Sequence, residues 1–527
     1  MKNIVKKITI GLLAGSSIFT LASCKKDFLN QLPTTQVPSD EVFKTTQGAR
    51  AAVNGIHAMM YEGTGDHDAF GIPSIGIMSD LMCGDMGAER IGSGWFITAY
   101  WFRDRNPDNT GAYMWGYFFR MIHNANMIIA NIDKATGEQE DKDNIKAQAL
   151  FYRAYAYFNM ANYYQFNYFD NQYMVADGNS RTATIRQSAS LDDALGLPLY
   201  KAPTQTPNPR ASLRETYQLI TDDLDQAIAL LQGAPSISRG TDKSQIDINV
   251  AKGLYARVAL HMQSWTKAAT FAREARQGYA LMNPSDFSGG MNRTINSEWI
   301  WASEINSEAN GIYASFLSHM SNDIEGAYAK AQGRLISASF FKPTILGDST
   351  MMMTQDDYRR AWGEVITYKD SRGTDRYFVR ARKFKPQKPN SFLADYVLMR
   401  AAEMYLIEAE ALAHQGLSGQ ALSVLNEFGV TRQPSYNFQG ATKEAIVKEI
   451  WKQKRIELWG EGFGFHEAKR RMTPVSTGGV TPEASISYGS GGYRQQVEVS
   501  SVPAGNSRLV FRIPSQELEQ NREMIQN

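Results

Sequence analysis

Apolar residues recur at helical spacing along most of the chain. Between Ala112 and Asp133, Trp115, Phe119, Ile122, Ala125, Asn126 and Ile129 fall near one face of a helix. Between Asn144 and Gln165, so do Ala147, Phe151, Ala154, Tyr155, Phe158 and Ala161. The same period predicts helices over 212–232, 247–263, 266–279, 393–415, 418–428 and 442–460. Ser39 or Asp40 can cap an earlier one that runs to about Met60. Two stretches lack the period. Residues 61–111 are rich in Gly and Asp and read as long loops, and residues 285–392 read as a loop-rich insertion. Inside the insertion, Glu298–Ala302 and the apolar/basic alternation over Arg376–Lys385 predict short strands. The Gly/Ser-rich stretch 473–507 predicts another loop.

Ala259-Leu260 with Ala269 matches Ala411-Leu412 with Ala421 at one constant offset. Small residues at such positions let paired helices approach closely. Hairpins of this kind cannot bury their apolar faces alone and must stack. The expected fold is mainly α: a tetratricopeptide-like helical-repeat scaffold in a single domain over 41–527. The scaffold would occupy about 41–60, 112–166, 211–280 and 393–460, and the loop-rich parts about 61–111 and 285–392. Loops of that length inside a domain usually carry function.

Composition narrows the function. Of 527 residues, 43% are hydrophobic and 21% charged, with a formal net charge of +1. That balance offers no basic face for nucleic acid. The N-terminus reads as an export signal: Lys2, Lys6 and Lys7 precede an apolar run from Ile8 to Thr20, then Leu21-Ala22-Ser23-Cys24. The run is shorter than the ~20 residues that span a bilayer. Cleavage before Cys24 would place a lipid thioether on that cysteine. It would also remove three lysines and no acid, taking the net charge to −2. Residues 24–40 then read as a polar, proline-marked tether. Cys83 is the only other cysteine, so no intrachain disulfide framework is expected. It reads as a buried small residue.

Several segments carry a resemblance. Trp115–Asn126 (WGYFFRMIHNAN) is similar to a W-x-x-x-Y-x-x-I-x-x-A-N helix, with Phe119 at the Tyr position. Ala147–Phe158 is similar to A-x-x-L-R-A-Y-x-Y-F, and Gly196–Leu199 to G-x-P-L. Arg210–Leu231, with Asp223-Leu224 and Ala227, is similar to R-x-S-x-x-E-x-Y-x-x-I-x-x-D-L-x-x-A. Arg400–Ala411 is similar to R-x-A-E-x-Y-L-x-x-A-E-A, and Lys454–Gly462 to E-R-x-x-E-L-x-x-E-G. In this order the segments resemble the SusD/RagB family of outer-membrane nutrient-binding lipoproteins of Bacteroidetes. The chain departs from the pattern at Lys454, where Glu is usual, and at Gly464 and Glu467, where Arg and Asp are usual.

The resemblance implies a helical tetratricopeptide scaffold, a lipid anchor at Cys24 and a place on the outer face of the outer membrane. It also implies a SusC-like TonB-dependent transporter as partner, an oligosaccharide ligand and no catalytic residues; no cofactor is expected, and no residues are assigned to a metal. Peptide uptake by some relatives keeps a peptide-binding lid of the same fold as the alternative.

Sugars are held by stacked aromatics with a few polar groups at the rim. Residues 95–119 contain ten aromatics in 25 positions. Five precede the helix, in a loop with Gly92, Gly94, Arg103 and Asn106. Trp95 and Trp101 are the leading candidates, followed by Tyr100 and Arg103. The insertion offers Asn310 and Tyr313, with Phe316, His319 and Tyr328 beside them. A second aromatic run, Phe151–Phe169, reads as core, and Trp299 and Trp301 read as packed on one strand face. Among enzyme classes, no H-E-x-x-H, G-x-S-x-G or P-loop motif occurs. Asp80 and Asp85 are a weak carboxylate pair for a glycoside hydrolase. Asp66-His67-Asp68 reads as a solvated loop rather than a metal site.

Overall fold

Side chains fix the helix starts. Thr45 accepts from the Gly48 amide (3.1 Å) ahead of α1 (Thr46–Met59). The computed structural model describes residues 39–61, 63, 66–89, 94–96, 99, 110–178, 180–234, 239–305, 313–341, 353–369, 373, 375–476 and 501–527. The other long helices are α3 (Thr110–Asn131), α4 (Gln139–Tyr164), α5 (Leu213–Gly233), α6 (Ile248–His261), α7 (Trp265–Ala275), α8 (Ala401–His414), α9 (Ser418–Val430) and α10 (Lys443–Glu457). A reciprocal capping box between Ser212 and Glu215 starts α5, and Asp247 and Thr442 cap α6 and α10. These helices pack in sequence, α3 on α4, α4 on α5, α6 on α7 and α8 on α9, and α7 packs on α8. The chain is thus predominantly helical and built from stacked helix pairs, as the period predicts.

The repeat differs from the alanine match by one residue. His261 and His414 end the first helices of the two hairpins. Gln263 and Gly416 both take positive φ (53° and 77°) in the turns. Ser264 and Leu417 then donate back to the Ala259 and Leu412 carbonyls at 2.8 and 3.0 Å. The structural partner of Ala259 is therefore Leu412, not Ala411. Backbone geometry sets the register here, and neighbouring small residues on one helix are poor markers of it.

Two expectations need correction. Within 61–111 the chain forms α2 (Ile72–Leu81) and β1 (Met86–Ala88) rather than continuous loop. Every residue of α2 is buried, so it has no polar face from which a period could be read. It starts after Gly71, at φ 79°, where an added Cβ would lie 2.3 Å from the Met60 carbonyl oxygen. The expected helix over 393–415 begins as a strand, β6 (Tyr396–Arg400), before α8. All five of its residues are buried, and a continuous apolar run does not distinguish strand from helix. β6 pairs antiparallel with β2 (Trp299–Ser303). β3 (Arg334–Ile336), β4 (Gly363–Lys369) and β5 (Asp375–Ala381) join β1 in an antiparallel sheet of order β1-β3-β5-β4. That sheet stitches the early segment to the insertion.

The family-like motif residues meet in two buried polar junctions. Arg153 grips Asp223 through two nitrogens (2.8 and 2.6 Å) and donates to Asn126 Oδ1 (2.8 Å), tying α3, α4 and α5 together. Arg400 binds Glu298 and Glu457 (2.6 Å each) and Glu461 (2.8 Å), and Arg432 binds Glu298 and Glu457 (2.8 Å each). Burial alone would raise the Glu457 carboxyl, yet Arg432, Arg400 and Arg359 hold it well below the carboxylate range. At the departures, Lys454 binds Glu410 (2.7 Å), Glu467 binds Arg470 and Arg471 (2.8 and 2.7 Å), and the Gly464 amide donates to Asp80 (2.8 Å). All three serve packing.

Candidate functional site

The segment before α2 is held from several sides. The Gly71 amide donates to the Tyr113 hydroxyl of α3 (2.8 Å), and Ser74 Oγ donates back to the Gly71 carbonyl (2.8 Å). His67 is thereby placed half-buried at the edge of the molecule. Trp95 stacks on its imidazole, with centroids 5.0 Å apart and planes 10° from parallel. Tyr328 meets the same ring edge-on at 5.6 Å and hydrogen-bonds its Nδ1 through the phenol. Tyr313, 39% exposed, packs edge-on against Tyr328 at 4.4 Å and lies 6.4 Å from His67. Its hydroxyl donates to the Gly326 carbonyl, which leaves the ring as the group presented outward.

A buried layer supports this surface. His319, on the short helix Phe316–Met320, stacks on Tyr328 (4.6 Å) and on Phe70 (5.5 Å), and Phe96 meets it edge-on at 5.0 Å. His319 Nε2 donates to the His67 carbonyl at 2.7 Å. Burial, with Arg334 next, pushes its pKa down to about 3, so the ring is neutral. Arg334 Nε donates to the His319 carbonyl (3.0 Å) and Asn322 clamps Arg334 through both its main-chain groups (2.9 and 3.0 Å). The platform is thus fastened to β3.

Trp95 and Tyr313 are the two candidate site residues that fall within the described residues, and both belong to this cluster. Tyr100, Trp101, Arg103 and Asn310 lie outside the described residues, as do Cys24 and residues 1–38. His319 and Tyr328 join the cluster, whereas Phe316 turns to Phe384 (4.9 Å) and Tyr396 (4.8 Å). His67 is the residue that sequence reasoning missed. Counting its imidazole among the aromatic rings, rather than with Asp66 and Asp68, is the signal that would have found it. Among the described residues no group of three His, Cys, Asp or Glu side chains is arranged to hold a metal ion.

The weak hydrolase pair resolves into structural ties. Asp80 accepts from the Gly462 and Gly464 amides (3.0 and 2.8 Å), and burial raises its pKa to about 7. Asp85 binds Arg455, with Nε at 2.7 Å. Cys83 donates its thiol to the Asp80 carbonyl (3.0 Å), and burial pushes it well above the ordinary thiol value. The second aromatic run is core except at its end: Phe151, Tyr155 and Phe158 are buried, Phe169 is exposed, and Trp301 meets Phe151 and Tyr155 edge-on at 5.2 and 5.4 Å.

Solved structures with this architecture are of the SusD type. A family profile described as "Starch-binding associating with outer membrane" matches residues 28–260, and one described as "SusD family" matches residues 288–527. The chain belongs to the SusD/RagB family. It is similar to a crystal structure of a SusD-like carbohydrate binding protein from Bacteroides vulgatus (24% identity, 91% of this chain and 97% of that one, TM-score 0.73). It is also similar to a SusD superfamily protein from Bacteroides thetaiotaomicron (18%, 92% and 99%, 0.71). A third similar structure is described as a laminarin binding SusD-like protein (18%, 92% and 99%, 0.61). No curated protein sequence matches the chain. No helix among the described residues is long and apolar enough to cross a membrane.

Proposed function

We propose that this chain captures oligosaccharide at the cell surface and hands it to a SusC-like TonB-dependent transporter of the outer membrane, breaking no bond. One observation carries the reading. Trp95 and Tyr313, drawn from two separate loop-rich segments, converge on His67 with Tyr328 to form a partly exposed aromatic surface. Sugar rings present C–H faces that such rings stack against, and the exposed edge of His67 offers a polar contact at the rim. The family profile described as starch-binding and the relative described as laminarin binding point to the same ligand class. Tyr100, Trp101, Arg103 and Asn310 belong to the proposed site on sequence grounds. Cys24 is the proposed lipid attachment, with residues 25–40 as the tether.

Affinity electrophoresis of the purified protein against starch, laminarin and other polysaccharides tests the proposal. Retarded migration with no release of reducing ends is the expected result. Binding to peptides alone would replace it with the peptide-lid reading, and reducing-end release would replace it with a hydrolase.

A further inference from the structure

α3 presents two different faces. Tyr113 and Tyr117 turn toward Gly71 and the Met59 carbonyl, beneath the His67 surface. Trp115, Gly116 and Phe119 instead line a separate groove of about 350 Å³, closed by Tyr200 and by the C-terminal helix α11 (Ser515–Gln520). Three rings contact in a row along one side: the buried Trp115 is tilted against Phe119 at 4.8 Å, and Phe119 meets Tyr200 edge-on at 5.7 Å. The Glu517 carboxylate closes one end, accepting from Trp115 Nε1 (3.3 Å). Gln516 and Gln520, one helical turn apart, are both exposed, and their side-chain amides have no hydrogen-bond partner among the described residues.

Gly116 is the telling residue. It lies inside a 22-residue helix, where Gly costs about 1 kcal/mol relative to Ala. No packing constraint demands it: an added Cβ would meet nothing within 4 Å. A helical glycine with open space above it, on the floor of an aromatic groove, lets a ligand approach the backbone closely.

We propose that this groove is a second carbohydrate site that takes a neutral stretch of an oligosaccharide; the proposal rests on the reading of the protein as a glycan binder. Its volume falls in the range of small-ligand sites. The half-buried rings of Phe119 and Tyr200 and the amides at the rim suit hexose C–H faces and hydroxyls. Neither Lys nor Arg lines it and Glu517 does, which disfavours an anionic ligand. The lining comes from two helices and the irregular segment 200–204, none of it a strand, so the groove offers no strand edge to a peptide. A glycan long enough to reach both surfaces gains affinity from the pair.

The test is calorimetric titration of the full chain with amylose and laminarin, comparing wild type, Gly116→Phe, Gly116→Ala and Trp95→Ala. The phenyl group fills the groove without removing a core side chain, and the alanine variant adds only a methyl group at the same place. The expected result is that Gly116→Phe removes one class of sites and weakens binding of long glucans roughly fivefold or more, while Gly116→Ala weakens it less. Unchanged stoichiometry and affinity in Gly116→Phe, with binding lost in Trp95→Ala, would overturn the groove and leave the proposed function standing. Loss in Gly116→Phe with no effect of Trp95→Ala would keep the groove and overturn the His67 surface as the site. No binding of either glucan by wild type would overturn both.

Discussion

Two aromatic clusters of this molecule use the same residue types to opposite ends. Around Trp301, the rings of Phe151, Tyr152 and Tyr155 are enclosed by α4 and β2, and the indole nitrogen is satisfied by the Ser244 carbonyl (3.2 Å). Around His67, the polar atoms are also satisfied, Tyr313 on Gly326 and Tyr328 on His67, but the rings of Trp95 and Tyr313 stay partly open. The difference lies in what surrounds each cluster. Helices and a paired strand cover the first on all sides, whereas the second sits on loops and short helices at an edge. Ring-on-ring geometry is therefore no guide to role, and the solvent boundary is.

Substitution separates the two most sharply at Trp301. Trp301→Ala should cost about 3–5 kcal/mol of folding stability through the cavity it opens, read by chemical denaturation. A loss under about 1 kcal/mol would show that the cluster collapses to fill the gap.

Acid should weaken both clusters together, because each contains a buried neutral histidine. His57, beside Trp301, is pushed down to about 4 by burial, and His319 to about 3. Below pH 6.5 the unfolded chain binds protons at these imidazoles that the folded chain does not. Stability is thus fully present above pH 6.5 and lost as pH falls through the folded values. The loss approaches roughly 3 kcal/mol for His57 and roughly 5 kcal/mol for His319 once complete. Melting temperatures measured from pH 7.5 to pH 4 check this, and a flat profile across that window would refute it.

The smallest stability effect belongs to the open cluster. Trp95→Ala should leave the melting temperature nearly unchanged and weaken glycan binding by about 1–3 kcal/mol. A stability loss as large as that of Trp301→Ala would mean that Trp95 is a structural anchor.

Much of the scaffold was legible because its helices have one apolar and one polar face. α2 was not, since burial on every side erases the period, and β6 was not, since a fully apolar run fits either conformation. The motif residues Asn126, Arg153, Asp223, Arg400 and Glu457 were visible as a pattern, but the two buried junctions they build appear only in three dimensions. For the candidate site, local aromatic density singled out Trp95 and Tyr313. His67 escaped because its neighbours Asp66 and Asp68 made the segment look like solvated charge. No local signal tells that a histidine in one loop will meet a tyrosine at position 328.

The buried ion pairs also bear on whether this chain can be divided. Arg257 holds Glu403 (2.6 Å) across the gap between the two family-profile segments, and Arg273 and Arg276, inside that gap, share Glu408 of the second segment (2.7 and 2.9 Å). Both carboxylates are almost wholly buried. Cut near residue 285, the C-terminal piece would lose these guanidiniums together with α6 and α7, the helices that pack on α8. Neither piece should then fold alone, and the two should reassociate when co-expressed, which size-exclusion chromatography of the tagged fragments would reveal. Evolution can vary the loops of such a chain freely, but it must inherit the two halves as a matched set.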